Sequence, residues 1–176
     1  MVQLRALFAD EIDTRLFCRF ERRQVVKYCI VKQGDRFVKK YRPFVDDWTE
    51  DDYKKLTVCL KSTAGSGGLV CGAFVKGWLK GFVSVEAEPF GSKKQYMDLS
   101  NIYVSTDVRR AGIGRKLFDR AKSFARHKNA QKLYISAHSA VESQAFYMAM
   151  GCCEAAEYDL GHVKKEPCDI QLECIL

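Results

Sequence analysis

The chain has 176 residues, of which 47% are hydrophobic, with a formal net charge of +7 and an isoelectric point near 9.0. This length suits one well-buried domain spanning residues 1–176 and is short for two. The basic residues are scattered along the sequence instead of gathered into one tract, which argues against a nucleic-acid-binding protein.

The cysteines and histidines argue against a disulfide-stabilised protein and against a metal-binding protein. The eight cysteines contain no C-x-x-C motif, and a chain of this size does not need disulfides to fold. None of the three histidines has metal-ligand spacing with a cysteine or an acid, so we expect no metal. No basic leader precedes a long apolar stretch, and no run approaches the roughly 20 apolar residues of a membrane span. We expect a soluble cytoplasmic protein with no membrane or nucleic-acid partner.

The first 41 residues predict a helix and a hairpin. Residues 4–23 carry apolar side chains at roughly helical spacing, with a buried side made of Leu7, Ile12, Leu16, Phe17 and Phe20. Residues 25–31 and 36–41 predict two strands around the turn Gln33-Gly34-Asp35. Lys39 and Lys40 would make the second strand an exposed edge.

Residues 49–52 match a capping box that begins a helix reaching about residue 62. Trp48 is either a core anchor or a wall of an acceptor pocket. An acidic cluster surrounds it, and these acids either stabilise the helix N-terminus or attract a cationic amine. The cluster consists of Asp46, Asp47, Glu50, Asp51 and Asp52.

Residues 62–68 predict a glycine-rich loop that is a candidate mobile segment. Residues 69–75 and 78–85 are apolar runs joined by Lys76-Gly77, which predicts a hairpin whose second strand leads to Glu86. Residues 89–94 predict a turn.

Residues 96–128 have the order strand, glycine turn, helix. An apolar strand at 99–104 is followed by a polar turn at 105–107, by Arg109-Arg110-Ala111-Gly112-Ile113-Gly114 and by a segment of helical period. The turn suits a phosphate, because the first N–H groups of a helix are unpaired and carry the positive end of its dipole. R-x-x-G-x-G matches neither the P-loop nor the Rossmann motif, which argues against nucleoside triphosphates and dinucleotides.

The last quarter predicts three strands and a helix. Residues 132–137 predict a buried strand parallel to the first, because a helix connects the two. Ser139 to Glu142 match a second capping box, which begins a helix that carries Phe146 and Tyr147 and stops at Gly151. Residues 152–160 and 169–175 predict two antiparallel strands around a loop at 161–167.

Arg109-x-x-Gly112-x-Gly114 after Ile102-Tyr103-Val104, followed by Ser143-Gln144-Ala145-Phe146-Tyr147 and Gly151-Cys152, resembles the GNAT superfamily of N-acetyltransferases. The resemblance is close over residues 98–153. It implies an α/β fold with a mixed, mostly antiparallel central sheet, flanking helices and one parallel strand pair. It also implies acetyl-CoA as co-substrate. The implied cofactor-binding residues are Ile102, Tyr103, Val104, Arg109, Arg110, Ala111, Gly112, Ile113, Gly114, Arg115, Ser143 and Phe146.

The resemblance also implies catalytic residues. An aliphatic amine has a pKa of about 10, so it arrives charged and needs a base, directly or through water. Asp98 falls where the histone-acetylating branch of the family carries its glutamate base, and Glu86 is the competing candidate. Asp98 could instead be a solvated carboxylate at the start of a strand. Tyr147 matches the family tyrosine that protonates the departing thiolate, and the alternative is a packed aromatic.

We therefore expect acetyl transfer from acetyl-CoA to a primary amine of a small molecule, antibiotic-like or polyamine-like, by direct attack in a ternary complex. Trp48 and Asp47 are the candidate substrate-binding residues, and a homodimer is compatible with this reading. One alternative is acetylation of a protein lysine or N-terminus. Another is a non-catalytic acyl-CoA-binding regulatory module, which Asp98 and Tyr147 argue against. A nucleic-acid binder would show a steep salt dependence and no need of cofactor.

Overall fold

The computed structural model describes residues 1–176. None of its helices combines the length and the apolar character needed to cross a membrane. The strands are β1 (Val2–Ala6), β2 (Arg23–Gln33), β3 (Arg36–Asp47), β4 (Leu69–Val75), β5 (Trp78–Val85), β6 (Tyr96–Asp98), β7 (Asn101–Val104), β8 (Lys132–Ala137), β9 (Cys153–Glu154) and β10 (Ile170–Ile175). The helices are α1 (Glu50–Gly65), α2 (Ile113–His127), α3 (Val141–Ala149) and α4 (Leu160–Lys165), with short 3-10 turns at Thr14–Phe17 and Thr106–Val108.

The strands form two four-stranded sheets and a separate ribbon. The first sheet has the order β1-β4-β5-β7 and is antiparallel throughout. The second has the order β6-β8-β10-β9, and its β6–β8 pair is the only parallel pair. Strands β2 and β3 pair only with each other as strands. This architecture confirms the expected α/β fold with one parallel pair and flanking helices.

Two apolar layers cover the first sheet. Val83 of β5 faces the main core, where α2 contributes Leu117 and Phe118. Phe82, the preceding residue, points to the opposite face and packs with Leu60 of α1. Alternation along the strand therefore places α1 and α2 on opposite sides of the sheet.

Several predicted elements have the expected bounds. β4, β5 and β8 match the predicted strands, and the β2–β3 ribbon extends the predicted hairpin at both ends. The predicted capping box is present, since the Asp52 N–H donates to Thr49 Oγ1 at 3.3 Å and the Thr49 N–H donates to Asp52 Oδ2 at 2.8 Å. Helix α1 continues to Gly65, so the prediction of a loop over 62–68 was wrong for its first half.

The prediction of a helix over residues 4–23 was wrong. Its first part is β1, which pairs with β4 through Leu4 and Ala73, and only a 3-10 turn follows. Four of the five residues expected on its buried side are buried: Leu7, Ile12, Phe17 and Phe20. The apolar residues were identified correctly, but pairing along a free sheet edge decided the local structure.

Three predictions for the last quarter of the chain were also wrong. β9 has only two residues, and most of the predicted loop at 161–167 is helix α4. The second capping box is absent, because α3 begins after Ala140 without a side-chain cap. Ser139 lies one position too early and its carbonyl instead accepts the Ile30 N–H at 2.8 Å, which ties the segment to β2.

Candidate active site

The site begins where two consecutive strands join different sheets. The Leu99 N–H donates to the Tyr134 carbonyl at 2.9 Å in the second sheet, and the Ser100 N–H donates to the Ser84 carbonyl at 3.1 Å in the first. The single strand predicted over 99–104 is therefore split. A cleft of about 980 Å³, lined by residues on both sides of this split, separates the sheets. β7 is the last strand of its sheet, so one of its edges has no strand partner.

The cleft brings together most of the residues expected at the site. Ala111 of the glycine turn is exposed and does not line it, and neither do Asp47 and Trp48. The expected residues that do line it are Glu86, Asp98, Ile102, Tyr103, Val104, Arg109, Arg110, Gly112, Ile113, Gly114, Arg115, Ser143, Phe146 and Tyr147.

The glycine turn presents unpaired backbone donors. Gly112 is the N-cap of α2 with φ of +77°, a conformation that strains an L side chain, and α2 has no side-chain cap. Arg110 is also left-handed, with φ of +65°. The N–H groups of Arg110, Ala111 and Gly112 donate no hydrogen bond within the chain. Free N–H groups, a helix N-terminus and three arginines together make a concavity whose donors and charge suit an anion.

Helix α3 lies close to the second glycine of the motif. A Cβ on Gly114 would lie 3.1 Å from Cε2 of Phe146, and the Phe146 ring meets Phe118 edge-on at 6.1 Å between centroids. Phe146 thus forms a wall of the cleft directly beside the glycine turn. This contact fixes α3, and with it the next residue along, relative to the first turn of α2.

That next residue is Tyr147, whose ring is buried in the main core and whose side chain lines the cleft. The hydroxyl makes no hydrogen bond within the chain, and it is not fully buried, so it opens onto the cleft. Burial, and to a lesser extent the nearby Tyr103, raises the pKa of Tyr147. The group therefore remains protonated at neutral pH and is available as a proton donor.

Glu86 lies at the end of β5 and is held by two hydroxyl groups. Its Oε1 accepts from Thr63 Oγ1 of α1 at 2.9 Å and from Ser100 Oγ at 2.5 Å. Ser100 is one of the two residues at the split, and its hydroxyl also lies 2.8 Å from that of Ser84. The Glu86 carboxylate is thus anchored at the point where the sheets separate.

Asp98, the other candidate base, is paired with a histidine that the sequence did not indicate. His162 Nε2 lies 3.1 Å from Asp98 Oδ2, while Asp98 Oδ1 is buried and has no hydrogen-bond partner. His162 lines the same cleft and belongs to α4, in the segment expected to be a loop. The bond to Asp98 raises the pKa of His162 and outweighs the opposing effect of burial.

A second carboxyl group lies on the same side of the cleft. Burial and the neighbouring Glu166 raise the pKa of Asp169 to about 7, against the effect of the Ser136 hydroxyl 3.4 Å away. Asp169 precedes β10 and was not expected at the site. No group of three or more His, Cys, Asp or Glu side chains has an arrangement suited to a metal ion.

The acidic cluster before α1 divides between two roles. Asp46 lines the cleft and forms an ion pair with Arg22, whose side chain is only 5% exposed. Asp47 points outward and pairs loosely with Arg23 at 3.6 Å. Trp48 packs edge-on against Tyr103 at 4.7 Å between ring centroids and contacts the Arg22 guanidinium. The structure therefore does not bring the expected acceptor wall of Trp48 and Asp47 to the cleft, since Trp48 packs behind Arg22 and Tyr103 and Asp47 faces outward.

The sequence over residues 34–152 matches the family model described as "Acetyltransferase (GNAT) family". This span covers more than half of the chain. The chain belongs to the GNAT family of acetyltransferases. No curated protein matches its sequence significantly.

Solved structures share the GNAT fold along the whole chain. A Bacillus anthracis protein assigned as a streptothricin acetyltransferase, in complex with acetyl coenzyme A, has a TM-score of 0.71 at 15% identity, covering 100% of this chain and 99% of its own. Nourseothricin acetyltransferase has a TM-score of 0.66 at 18% identity, covering 98% and 95%. The ribosomal-protein-S18-alanine N-acetyltransferase of Escherichia coli has a TM-score of 0.61 at 15% identity, covering 99% and 94%.

The sequence did not indicate several charged or titratable residues that line the cleft of this GNAT acetyltransferase, among them Arg22, His162, Glu166 and Asp169. Arg22 falls inside the helix predicted over residues 4–23, and the other three fall in or beside the loop predicted over 161–167. No local motif marks these three, because they reach the cleft through strand order: β10 lies beside β8, and β8 lies beside β6.

Proposed function

We propose that this GNAT acetyltransferase moves an acetyl group from acetyl-CoA to a primary amine of a small molecule, by direct attack in a ternary complex. The observation that carries the proposal is that one cleft joins the glycine turn, the unpaired edge of β7 and the Tyr147 hydroxyl. These three features fit, in order, the pyrophosphate, the pantetheine amides and the thioester of acetyl-CoA.

The glycine turn fits the pyrophosphate. Gly112 has nothing within 4 Å of the position that a Cβ would occupy, so an anion has room to approach the backbone there. The free N–H groups would donate to phosphate oxygens, and Arg109, Arg110 and Arg115 would supply opposite charge. Burial, and then the charge of Arg22, lowers the pKa of Arg109, which an incoming phosphate would offset.

The free edge of β7 fits the amide-bearing arm of the cofactor. Ile102, Tyr103 and Val104 pair with β5 on one side only, and an extended ligand could add to the other side as a strand does. This placement would bring the thioester toward the residues at the split between the sheets.

Tyr147 fits the role of general acid. Its side chain lines the cleft, and its hydroxyl has no partner within the chain and is protonated at neutral pH. A thiolate leaving from the thioester needs one proton, and a protonated hydroxyl beside it can supply one. The alternative is a packed aromatic whose hydroxyl meets only solvent.

The lining favours a cationic amine as the acceptor. Six acidic side chains line the cleft: Asp46, Glu86, Asp98, Glu142, Glu166 and Asp169. Carboxylates in a concave site of low dielectric attract an ammonium ion. The similarity to acetyltransferases named for streptothricin and nourseothricin supports a small-molecule acceptor. The similarity to the S18-alanine enzyme keeps a protein N-terminus as the second candidate.

The test is a panel of amines assayed for CoA release with acetyl-CoA. The panel contains diamines, polyamines, amino-group antibiotics, and peptides with a free N-terminus or an internal lysine. We expect release with the small cationic amines and little with peptides. Release with peptides alone would favour the protein-acetylating alternative. A thermal shift with acetyl-CoA but no release with any amine would favour a non-catalytic binding module.

A further inference from the structure

The Asp98 carboxylate is poorly placed to meet an incoming amine. Oδ2 lies 3.1 Å from His162 Nε2, and Oδ1 is buried without a polar partner. A direct base must reach the proton that it removes. Both residues line the cleft, but the His162 side chain is the more exposed of the two, at 23% against 14% for Asp98.

The imidazole of His162 is held from several directions. Its ring packs against Tyr134 at 5.5 Å between centroids, and its backbone N–H donates to Asp159 Oδ1 at 2.9 Å. The Tyr134 hydroxyl accepts the Asp159 N–H at 2.9 Å and donates to Gln171 Oε1 at 2.7 Å. Strands β8 and β10 therefore fix the segment that carries the histidine, and Asp98 fixes the ring.

The contact with Asp98 also favours one tautomer. A neutral ring that carries its hydrogen on Nε2, 3.1 Å from Asp98 Oδ2, has its lone pair on Nδ1. Nδ1 makes no hydrogen bond within the chain. A histidine with one nitrogen bound to a carboxylate and the other free has the arrangement of a general base with its orienting partner.

We propose that His162 is the catalytic base that takes the proton of the acceptor ammonium, and that Asp98 is its positioning residue. This inference rests on the proposed function and assigns the base within it. Glu86, anchored by Thr63 and Ser100, is the competing candidate. The titratable and charged groups around His162 are Asp98 of β6, Tyr134 of β8, Asp159 and Lys165 of α4, and Glu166 and Asp169 before β10.

His162 and Tyr147 together account for every proton that moves in the reaction. The ammonium gives one proton to Nδ1 of His162, which later releases it to solvent. The neutral nitrogen forms the C–N bond while the carbonyl electron pair moves to oxygen. Collapse of the tetrahedral adduct breaks the C–S bond, the sulfur takes the Tyr147 proton, and Tyr147 regains one from the attached nitrogen.

The first test follows kcat/KM for the amine against pH in the wild type, H162Q, D98N and E86Q. A base must be deprotonated, so the wild-type rate should fall as the pH drops through the pKa of His162. H162Q should lose this fall in rate at low pH, the acidic limb of the profile. Its plateau rate should be lower than that of the wild type by a factor of about 10² to 10⁴. D98N should keep a limb but move it to lower pH, because the carboxylate that raises the pKa is gone. H127Q, on the exposed end of α2, is the matched control and should behave as the wild type.

The second test separates a catalytic role from a structural one. NMR titration should show a pKa for His162 above the ordinary histidine value, and its decrease in D98N should equal the shift of the kinetic limb. Added imidazole should restore part of the rate of H162A without restoring that of D98N. In both variants the thermal shift with acetyl-CoA should match the wild type.

Two outcomes overturn the role of His162. One is an H162Q enzyme with the wild-type limb and plateau while E86Q loses both, which would assign the base to Glu86. The other is a D98N enzyme that loses the limb entirely while H162Q retains it, which would make Asp98 the base. A wild type that releases no CoA with any amine would instead overturn the proposed function, and the role of His162 with it.

Discussion

Gly114 and Phe146 are so close that a Cβ on the glycine would lie 3.1 Å from the ring edge. Gly114→Val should therefore displace α3 or the first turn of α2 and weaken acetyl-CoA binding. We expect a destabilisation of about 1–3 kcal/mol, typical of overpacking. Chemical denaturation and an acetyl-CoA titration measure the two effects. Phe146→Leu in the same chain should recover part of both, and a double variant with no recovery would contradict the contact.

Gly112→Asp should abolish the thermal shift produced by acetyl-CoA. The substitution strains a left-handed residue and places a carboxylate where a phosphate is proposed to bind. At about 100 times the dissociation constant, the wild type should gain about 2.7 kcal/mol in free energy of unfolding. Gly77→Asp is the control, because Gly77 has φ of +81°, has open space around it and lies in the β4–β5 turn outside the cleft. A wild-type shift in Gly112→Asp would remove this turn from the cofactor site.

Tyr147→Phe should lower kcat by about 10² to 10⁴ and leave acetyl-CoA binding unchanged. The hydroxyl has no hydrogen bond within the chain, so the free energy of unfolding should change little. Tyr96→Phe makes the same chemical change where the hydroxyl donates to Glu173 at 2.7 Å, and should lower stability instead of kcat. Normal turnover in Tyr147→Phe would exclude Tyr147 as the acid.

Asp46→Asn and Asp47→Asn should differ although the residues are neighbours. Asp46 neutralises Arg22, which is 5% exposed and has two further nitrogen atoms buried without partners. Asp46→Asn should therefore lower the free energy of unfolding by about 1.5–3 kcal/mol and raise KM for the amine. Asp47 is 59% exposed, so its replacement should change stability by less than about 0.5 kcal/mol. If the two variants had equal effects on denaturant unfolding and on amine kinetics, the different roles assigned to Asp46 and Asp47 would be refuted.

Acid should destabilise the fold partly through Glu173. Burial would raise the pKa of this carboxyl, but the bonds from Lys132 and Tyr96 lower it below its ordinary value. A carboxyl with a lowered folded-state pKa stabilises the fold above its unfolded pKa of about 4.3 and loses this contribution as the pH falls through the folded value. Glu173→Gln should therefore have a flatter dependence of Tm on pH below about pH 5. Glu88→Gln, at an exposed position, should keep the wild-type slope.

The sequence predicted the fold where local chemistry and tertiary structure agree. The glycine turn, the β4–β5 hairpin and the Thr49 cap depend on backbone conformation and alternation within a few residues, and each lies where expected. The prediction of a helix over 4–23 was wrong because β1 pairs with β4, whose residues lie 65 to 73 positions further along the chain, and no local periodicity reveals such a pairing.

The cofactor half of the candidate site could be predicted from the sequence, and the acceptor half could not. The cofactor half is contiguous in sequence around Gly112, so its residues could be named before the fold was known. The acceptor half joins Arg22, Asp98 and His162 from distant parts of the chain. His162 and Asp98 meet only because β10 lies next to β8, and a polar pair of this kind has no sequence spacing to recognise.

The split between Leu99 and Ser100 also limits where residues can be inserted into or deleted from the chain. The Leu99 N–H is bonded to the second sheet and the Ser100 N–H to the first, and successive side chains of β7 alternate between the α1 side and the α2 side. Inserting or deleting one residue there would turn Tyr103 toward α2 and Ile102 and Val104 toward α1, because the side-chain period of a strand is two. Substitutions between Asp98 and Asn101 should therefore be accepted far more often than single-residue insertions or deletions. A library that scans both classes at these positions would measure this difference directly.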